Sequence, residues 1–386
     1  MIRTYTYKLY SNKRVETKFN NWLNVTRYVY NIAKETKETA YKEGVNLTGF
    51  DLQKQLTEAK REVAWVDDVN AQTLQSVITQ LDISYKNFFS GRTKYPKWAS
   101  KKTWMSFEFK QSGVRVTSPK GYLRQTDKGF KLPKFGEVKV FNNRVIDGNI
   151  KTARLIKKAD GIYLHVVAEA EAEAEDKVYC TNENQVGIDM GIKYFCVTSD
   201  GEFIDNPRFL NKQLKMLRVE HRKLSRKFQK GVKVQSKNYY KQVKVLAKLH
   251  KKVVDARKDF LHKQSIYFAA NYSDIAIEDL KITKMVKGVF SKHISDVSWG
   301  AFFYMLEYKA NNLVRVNPAY TSQECSKCGY TCKENRVTQS IFKCISCGHE
   351  DNADVDAAKV ILGRAFPNSR ERSTLVQALA VESHLI

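Results

Sequence analysis

The spacing of hydrophobic and polar positions changes along the chain and divides it into segments of different secondary structure. Residues 1–10 alternate apolar and polar side chains, which predicts a short strand. Residues 11–93 instead carry apolar residues at helical spacing, and Gly44 and Gly91 follow two of these runs. This pattern predicts a bundle of about three helices whose apolar stripes form a core.

Short alternating runs return after residue 94 and predict strands. They are SFEF at 106–109, GVRV at 113–116, GEVKVF at 136–141 and GIYLHVV at 161–167. The Asp160-Gly161 pair is typical of a hairpin turn. We therefore predict a small β-barrel that combines residues 94–177 with the strand at 1–10. The helices would be an insertion, and the acidic run AEAEAEAED at 168–176 would end the barrel.

The order of elements after this connector is that of an RNase H-like α/β fold. A strand, a hairpin and a second strand are predicted across 185–206, followed by a long helical stretch at 208–263. The remaining elements are a strand at 274–280, a helix at 296–310, a strand at 313–316 and a final apolar helix that begins near Ala357. Such a fold brings residues from distant strands and from the last helix around one cleft.

The charge balance indicates a polyanionic partner. The 386 residues are enough for two or three domains, and 66 Lys and Arg against 41 acids leave a net charge of +25. Residues 208–263 hold 19 of the basic residues and 3 acids, too lopsided for neighbouring pairs to neutralise. We interpret that stretch as a nucleic-acid contact.

No apolar run approaches the roughly 18–20 residues that span a bilayer, and residues 1–14 lack the apolar segment of a signal peptide. We therefore expect a cytoplasmic protein without a membrane partner.

Basic and aromatic residues are interleaved at 93–104, in TKYPKWASKKTW. Lysines there can contact phosphates while the rings stack on bases, although a simple basic loop is the plainer interpretation. The candidate nucleic-acid-binding residues are Lys94, Tyr95, Lys97, Trp98, Lys101 and Lys102, together with Arg222 and Arg226 in the helical stretch.

Two CxxC pairs separated by 15 residues predict a zinc site, and each pair is followed directly by glycine. The ligands are Cys325, Cys328, Cys344 and Cys347. Since the protein fills all four positions, one structural Zn²⁺ is expected. Cys332 is a spare thiol without a role, and His349, directly after the second knuckle, is interpreted as a surface residue.

Three carboxylates lie where the predicted fold would bring them together. Asp189 interrupts an apolar strand, Glu278 ends another, and Asp354 precedes the final helix. Three oxygen donors suit two Mg²⁺ or Mn²⁺ ions, one lowering the pKa of an attacking water and the other stabilising the leaving 3′ oxygen of a phosphodiester. Asp351 and Asp356 are rivals to Asp354, but a helix already formed at 354 turns Asp356 about 200° away from the cleft.

Taken together, these motifs resemble the TnpB family. The resemblance lies in YKLY and RYVYN near the start, GIDMGIKYF, IAIEDL and the run from NPAYTSQECSKCG to CISCGHEDNADVDAAKVIL. TnpB proteins are transposon-encoded, RNA-guided DNA endonucleases of IS200/IS605 and IS607 elements and are similar to compact type V CRISPR effectors. The match extends to about Ala365.

The resemblance implies a role for each motif. Asp189, Glu278 and Asp354 match the RuvC-like catalytic acids, and the four cysteines match the zinc ligands of the target-nucleic-acid-binding insertion. It also implies a domain plan: a wedge β-barrel at 1–10 and 94–177, a helical recognition lobe at 11–93, a RuvC-like nuclease domain at 178–366 with the basic hairpin at 208–263 and the zinc ribbon at 320–350, and a tail at 367–386. The implied partners are a guide RNA and a double-stranded DNA target beside a short transposon-adjacent motif. The protein would be a monomer in the ribonucleoprotein, in the prokaryotic cytosol and at the nucleoid when on target.

Two departures from the family pattern keep other functions open. Asp356 stands where the family usually has Asn, and only Asn311 and Asn312 connect a helix to the next strand, where the family has a longer connection. These departures motivate one alternative, a nuclease-silent, RNA-guided DNA-binding repressor. The other alternative is an RNase H-like transposase, because the same fold and acids permit a 3′-OH to replace water as the nucleophile. Neither departure removes a catalytic acid, which favours the endonuclease.

Overall fold

The computed structural model describes residues 2–110, 123–146, 148–169, 183–232, 234–285 and 296–367. The chain forms two compact units, Met1–Ala172 and Glu173–Ile386. The strand predicted at 113–116, most of the acidic connector and all but the first residue of the tail at 367–386 lie outside the described residues. Within those residues, no helix has the length and apolar character needed to cross a membrane.

The first unit contains the predicted helices and one additional helical turn. They are α1 (Lys13–Lys42), α2 (Gly49–Glu62), α3 (Ala64–Asp67) and α4 (Ala71–Phe89). Three of these helices have an N-cap side chain that accepts a hydrogen bond from a first-turn backbone N–H group. The N-cap residues are Asn12, Thr48 and Asn70. The prediction of a helical segment at 11–93 is thus confirmed.

The strands of the first unit form two antiparallel sheets. The strands are β1 (Ile2–Lys8), β2 (Ser106–Lys110), β3 (Arg124–Thr126), β4 (Gly129–Leu132), β5 (Gly136–Lys139), β6 (Asn149–Lys158) and β7 (Gly161–Glu169). One sheet has the order β1-β7-β6-β2 and the other the order β3-β4-β5. The N-terminal strand pairs with β7, so residues 1–10 do join the strands that follow residue 94, as predicted. In the described residues, however, a bridge between Leu9 and Val140 links the two sheets, in place of the continuous barrel that was expected.

The second unit is built on one mixed five-stranded sheet. Its strands are β8 (Gln185–Met190), β9 (Tyr194–Thr198), β10 (Phe203–Asp205), β11 (Asp274–Glu278) and β12 (Asn312–Val316). Their order in the sheet is β10-β9-β8-β11-β12. β8, β11 and β12 run parallel, and β9 is antiparallel to both of its neighbours. The two central strands, β8 and β11, are mostly buried, which explains their near-continuous apolar sequence.

Helices and a small ribbon complete the second unit. The elements are α5 (Phe209–Lys227), α6 (Lys237–Asn271), α7 (Ile282–Met285), α8 (Trp299–Lys309), α9 (Ala353–Ala365), β13 (Ile341–Lys343) and β14 (Glu350–Asn352). α5 and α6 form the predicted helical hairpin, although α6 extends past residue 263. α9 begins four residues before Ala357, so the helix is already formed at Asp354.

α9 packs directly on β8 because Gly187 has no side chain. A Cβ atom at this position would lie 2.1 Å from the carbonyl oxygen of Ala358 and 2.8 Å from the backbone nitrogen of Leu362. Both contacts are to backbone atoms, which cannot rotate away. Gly187 therefore sets the close approach of the last helix to the central strand.

Gly187→Ala is expected to destabilise the second unit by about 1–3 kcal/mol or more, because the added methyl group overpacks this contact. The measurement is the free energy of unfolding in urea. Gly300→Ala in α8 is the matched control, since its Cβ would lie 3.5 Å from Ile282 Cδ1, an ordinary contact. Equal stability changes in the two variants would contradict the assigned role of Gly187.

Candidate functional site

Asp189 and Glu278 are side by side at one edge of the second unit's sheet. In the parallel pair of β8 and β11, Ile188 lies opposite Ile277. Asp189 and Glu278 are the next residue along each strand. Neighbouring positions of paired strands point to the same face of a sheet, so the register brings these two carboxylates together.

α9 carries the third acid toward the same face. Asn352 Oδ1 begins the helix by accepting hydrogen bonds from the N–H groups of Asp354 (3.0 Å) and Val355 (3.4 Å). Ala358, one turn later, lies over Gly187. Asp189 follows Gly187 by two residues and therefore shares its face of β8. The geometry thus places Asp354 above Asp189.

The negative charges of Glu278 and Asp354 both act on Asp189. Burial, followed by the negative charges of Glu278 and Asp354, raises the pKa of Asp189 to about 8. Burial also raises the pKa of Glu278, against the effect of a 2.5 Å hydrogen bond that the Thr321 hydroxyl donates to its Oε1. Crowded carboxylates with raised pKa values are typical of a site that accepts positive charge.

The three acids are nevertheless spaced more widely than the ligands of a single ion. Among the described residues, two groups of at least three His, Cys, Asp or Glu ligand atoms lie within 4.8 Å of one another, and the three acids are not one of them. Like-charge repulsion favours this wider spacing. The structure brings the acids to one edge, and their catalytic role remains a prediction.

Arg336 is a residue of this site that the sequence analysis missed. Its Nη2 lies 3.2 Å from Asp354 Oδ1 and donates to the Gln339 carbonyl at 2.9 Å. Its positive charge also lowers the pKa of Asp189, against the larger effects that raise it. No spacing in the sequence marks this arginine, which lies between the two CxxC pairs and reaches the acids only through the fold.

The raised pKa of Asp189 predicts a pH-dependent stability. Its pKa of about 8 in the folded chain lies above the ordinary value of 3.8, so the folded state holds the proton more tightly than the unfolded state does. This contribution to stability is complete below about pH 4 and is lost as pH rises through about 8. In buffer without added divalent cations, we expect unfolding free energies measured from pH 5 to 8 to fall by up to about 1.4 kcal/mol per pH unit. Asp189→Asn should remove that part of the slope, and parallel slopes would contradict the assignment.

The four cysteines form the predicted cluster. Their Sγ atoms lie within 4.8 Å of one another, with Cys325 to Cys347 at 3.7 Å and Cys328 to Cys344 at 3.6 Å. A tetrahedron of thiolates around Zn²⁺, with bonds of about 2.3 Å, has edges of about 3.8 Å. The sulfur positions therefore fit a zinc ion.

Near this cluster, His349 departs from expectation, and Asp351 and Asp356 prove not to be alternatives to Asp354. His349 is half-buried rather than a surface residue, because its Nε2 lies 3.4 Å from Asp356 Oδ1. Asp356 is 1% exposed and accepts hydrogen bonds from the Ser326 hydroxyl and N–H, so it points toward the first zinc knuckle. Asp351 pairs with Lys359 at 2.7 Å. Neither aspartate therefore competes with Asp354 for a place beside Asp189.

The basic and aromatic loop of the first unit is exposed, but its rings have internal partners. All six candidates are exposed: Lys94, Tyr95, Lys97, Trp98, Lys101 and Lys102. The buried Lys34 ammonium lies 4.3 Å from the centre of the Trp98 ring and 5.1 Å from that of Tyr95. The Tyr95 hydroxyl donates to Glu38 at 2.5 Å. This support comes from α1, far from both rings in the chain, so no local sequence pattern predicts it.

The basic hairpin presents its charges to solvent. Arg222 and Arg226 are exposed and one turn apart on α5. Leu217 of α5 and Leu246 of α6 are buried, whereas Met216 and Val245 are exposed among the basic residues. A nucleic-acid backbone can contact such a face, and the contact itself remains a prediction.

Family models match three parts of the chain. Residues 166–288 match OrfB_IS605, described as "Probable transposase". Residues 299–361 match a "Cas12f1-like, TNB domain", and residues 1–45 match a "Helix-turn-helix domain" of the same OrfB_IS605 type.

Named relatives match nearly the whole chain. "Putative RNA-guided DNA endonuclease InsQ" of Escherichia coli (strain K12) is 29% identical over 384 residues, which cover 94% of this chain and 92% of that protein. "Putative RNA-guided DNA endonuclease" of Streptomyces pristinaespiralis is 28% identical over 95% of this chain and 90% of its own length. "CRISPR-associated endodeoxyribonuclease Cas12f1" of Sulfoacidibacillus thermotolerans is 32% identical over 33% of this chain and 31% of its own length.

Proposed function

Because this chain belongs to the TnpB family of transposon-encoded proteins, we propose that it is an RNA-guided, metal-dependent DNA endonuclease. The observation that carries the proposal is the convergence of three acids from β8, β11 and α9. Asp189 and Glu278 are adjacent on parallel strands, and the charge of Asp354 reaches Asp189. The two relatives whose names begin "Putative RNA-guided DNA endonuclease" match over at least 90% of both lengths and support the same function.

The donor set of this edge fits Mg²⁺ or Mn²⁺. Asp189, Glu278 and Asp354 offer only carboxylate oxygens, the ligands that these hard cations prefer. Burial, followed by repulsion from Glu278 and Asp354, raises the pKa of Asp189, and bound positive charge would offset that repulsion. When bound, a pair of such ions would lower the pKa of an attacking water and stabilise the leaving 3′ oxygen of a phosphodiester.

Neighbouring residues hold the acids in place. Thr321 orients Glu278 through its hydroxyl, and Asn352 fixes the turn that carries Asp354. Arg336 holds Asp354 and places a positive charge near Asp189, which favours the ionised carboxylate that metal binding needs. The zinc site is structural in this proposal, since the protein supplies four ligands, and the ribbon that it closes leads directly into α9.

The charged surfaces fit a guide RNA and a double-stranded DNA target. Base pairing to the guide would select the sequence, while the protein would read a short transposon-adjacent motif and hold the nucleic acids by their backbones. The net charge of +25 and the exposed basic hairpin support this division of roles. We propose a monomeric ribonucleoprotein in the prokaryotic cytosol, with the first unit as wedge domain and recognition lobe.

The presence of Asp356 in place of the family's usual Asn does not favour a nuclease-silent repressor. Asp356 contacts Ser326 in the zinc ribbon and leaves the three acids unchanged. The three acids would equally permit strand transfer by a transposase, in which a 3′-OH replaces water as nucleophile. Product analysis separates the two reactions, because only strand transfer joins DNA ends.

The proposed function is tested with the RNA that co-purifies with the protein. Sequencing should show one defined species, and a DNA duplex that matches its guide segment should be cut in Mg²⁺. A duplex with a scrambled guide match is the control. Equal cutting of both duplexes, or cutting of neither, would contradict RNA-guided cleavage.

Removing two charges from the hairpin should weaken RNA binding and its salt dependence. For Arg222→Ala combined with Arg226→Ala, the slope of log K against log salt should become shallower by about 1.4 for single-stranded RNA, about 0.7 per lost phosphate contact. Affinities measured between 50 and 200 mM salt, about a fourfold range, resolve this change. Lys263→Ala is the control, because Lys263 already pairs with Asp259 at 2.9 Å. An unchanged slope in the double variant would exclude these arginines from the interface.

A further inference from the structure

A second group of metal-ligating side chains lies beside the zinc ribbon and uses none of the four cysteines. His349, Asp351 and Asp356 each offer one ligand atom, and these atoms lie within 4.8 Å of one another. His349 Nε2 is 3.4 Å from Asp356 Oδ1 and 3.9 Å from Asp351 Oδ2. The group follows the second zinc knuckle and reaches into the first turns of α9, away from the acids of the proposed nuclease site.

Two atoms of this group are buried without a hydrogen-bond partner. They are Asp356 Oδ2 and His349 Nε2. Asp356 is 1% exposed, and only its other oxygen, Oδ1, receives hydrogen bonds, both from Ser326. Leaving a buried polar atom unsatisfied is costly, and native proteins rarely do so without a reason. Two such atoms in one group point to a ligand that contacts both.

We propose that His349, Asp351 and Asp356 form a second cation site, which takes a borderline divalent metal such as Zn²⁺. One imidazole nitrogen and two carboxylate oxygens are a donor set that zinc accepts and that Mg²⁺, with its preference for oxygen alone, does not favour. Three protein ligands leave the fourth tetrahedral position of the ion to a water or another small ligand. The site is independent of the proposed nuclease activity.

The aspartate at position 356 distinguishes this chain from the usual family pattern and supplies one ligand of the proposed site. An Asn at position 356, which is usual in the family, would offer a neutral oxygen and less affinity for a cation. Ser326 belongs to the first zinc knuckle and His349 follows the second, and both contact Asp356 on α9. A cation here would therefore tie both knuckles to the helix that carries Asp354.

Lys359 is the competitor for this site. Its ammonium lies 2.7 Å from Asp351 Oδ2, the same oxygen that faces His349. A cation must share Asp351 with Lys359 or displace it. The second ion should therefore bind more weakly than zinc in the four-cysteine site.

The experiment counts zinc ions per chain at equilibrium. Full-length protein carrying Asp189→Asn, which disables the proposed nuclease site, is dialysed against a series of zinc concentrations and analysed by inductively coupled plasma mass spectrometry. Two ions per chain are expected. Adding Asp356→Asn or His349→Gln should leave one, whereas Asp279→Asn, which changes an exposed acid of the same unit, should leave two.

Cobalt distinguishes the donor atoms. Once zinc fills the cysteine site, added Co²⁺ should give visible d–d bands without the intense thiolate charge-transfer band, and Asp356→Asn should abolish them. A single zinc per chain at every concentration, or a second ion that both variants retain, would overturn the proposal. If both variants fail to fold, as judged by circular dichroism, the zinc affinity of the Lys359→Ala variant tests the proposal instead. Removing the competitor should tighten the second ion about fivefold, and unchanged or weaker binding would overturn the site.

Discussion

Asp189→Asn should abolish DNA cleavage while RNA and target binding persist. The amide keeps the size and shape of the carboxylate but removes its negative charge, so the proposed cations lose a central ligand. We expect the single-turnover cleavage rate to fall by at least about 10³-fold, or about 4 kcal/mol of transition-state stabilisation. The measurement pairs this rate with the affinity of the same complex for a matched duplex.

Asp279→Asn is the matched control for this experiment. Asp279 follows Glu278 directly, but its side chain is exposed and lies 3.7 Å from Arg315. The Asp279→Asn variant should cut DNA at the wild-type rate. Cleavage by Asp189→Asn within about tenfold of wild type, a difference of about 1.4 kcal/mol, would mean that Asp189 is not a ligand of the catalytic ions.

Cys344→Ser should remove the tightly bound zinc and, with it, cleavage. Cys344 is 1% exposed, and its sulfur lies 3.6 Å from that of Cys328. Structural zinc contributes about 10 kcal/mol or more to folding small domains, more than so small a ribbon can replace from its own core. Arg336 lies within this ribbon, and Asp354 lies two residues after β14, the last strand of the ribbon. Both side chains should therefore lose their positions when the ribbon loses its zinc. Zinc content and cleavage rate are measured on the same preparation.

Cys332→Ser separates loss of zinc from loss of any thiol. The Cys332 sulfur donates to Glu334 at 2.6 Å and is not part of the four-cysteine cluster. This variant should keep its zinc and its activity. Loss of zinc in Cys332→Ser, or full cleavage by zinc-free Cys344→Ser, would contradict the proposed structural role of the ribbon.

Local patterns predicted the second unit well because its central elements follow simple rules. β8 and β11 are buried parallel strands, so they appear as apolar runs, and the acid near the end of each run is conspicuous. The spacing of the two CxxC pairs is by itself enough to predict a zinc site. Helical geometry alone likewise distinguishes Asp356 from Asp354, since the two side chains point in different directions from the helix.

The missed elements have physical causes. β6 escaped prediction because its register shifts between Ile150 and Thr152, which breaks the two-residue alternation of a strand. Arg336 acts on acids far away in the chain, and Lys34 on rings that are also distant, so no local pattern shows either contact. The burial of His349 likewise depends on how the second knuckle meets α9.

The most direct test of metal binding by the three acids is a Mn²⁺ titration of zinc-saturated protein at pH 8, followed by electron paramagnetic resonance. Wild-type protein should bind Mn²⁺, and Asp189→Asn, Glu278→Gln and Asp354→Asn should each weaken that binding, while Asp279→Asn should not. Unchanged Mn²⁺ binding in all three acid variants would contradict the assignment of these residues as the metal ligands of a nuclease.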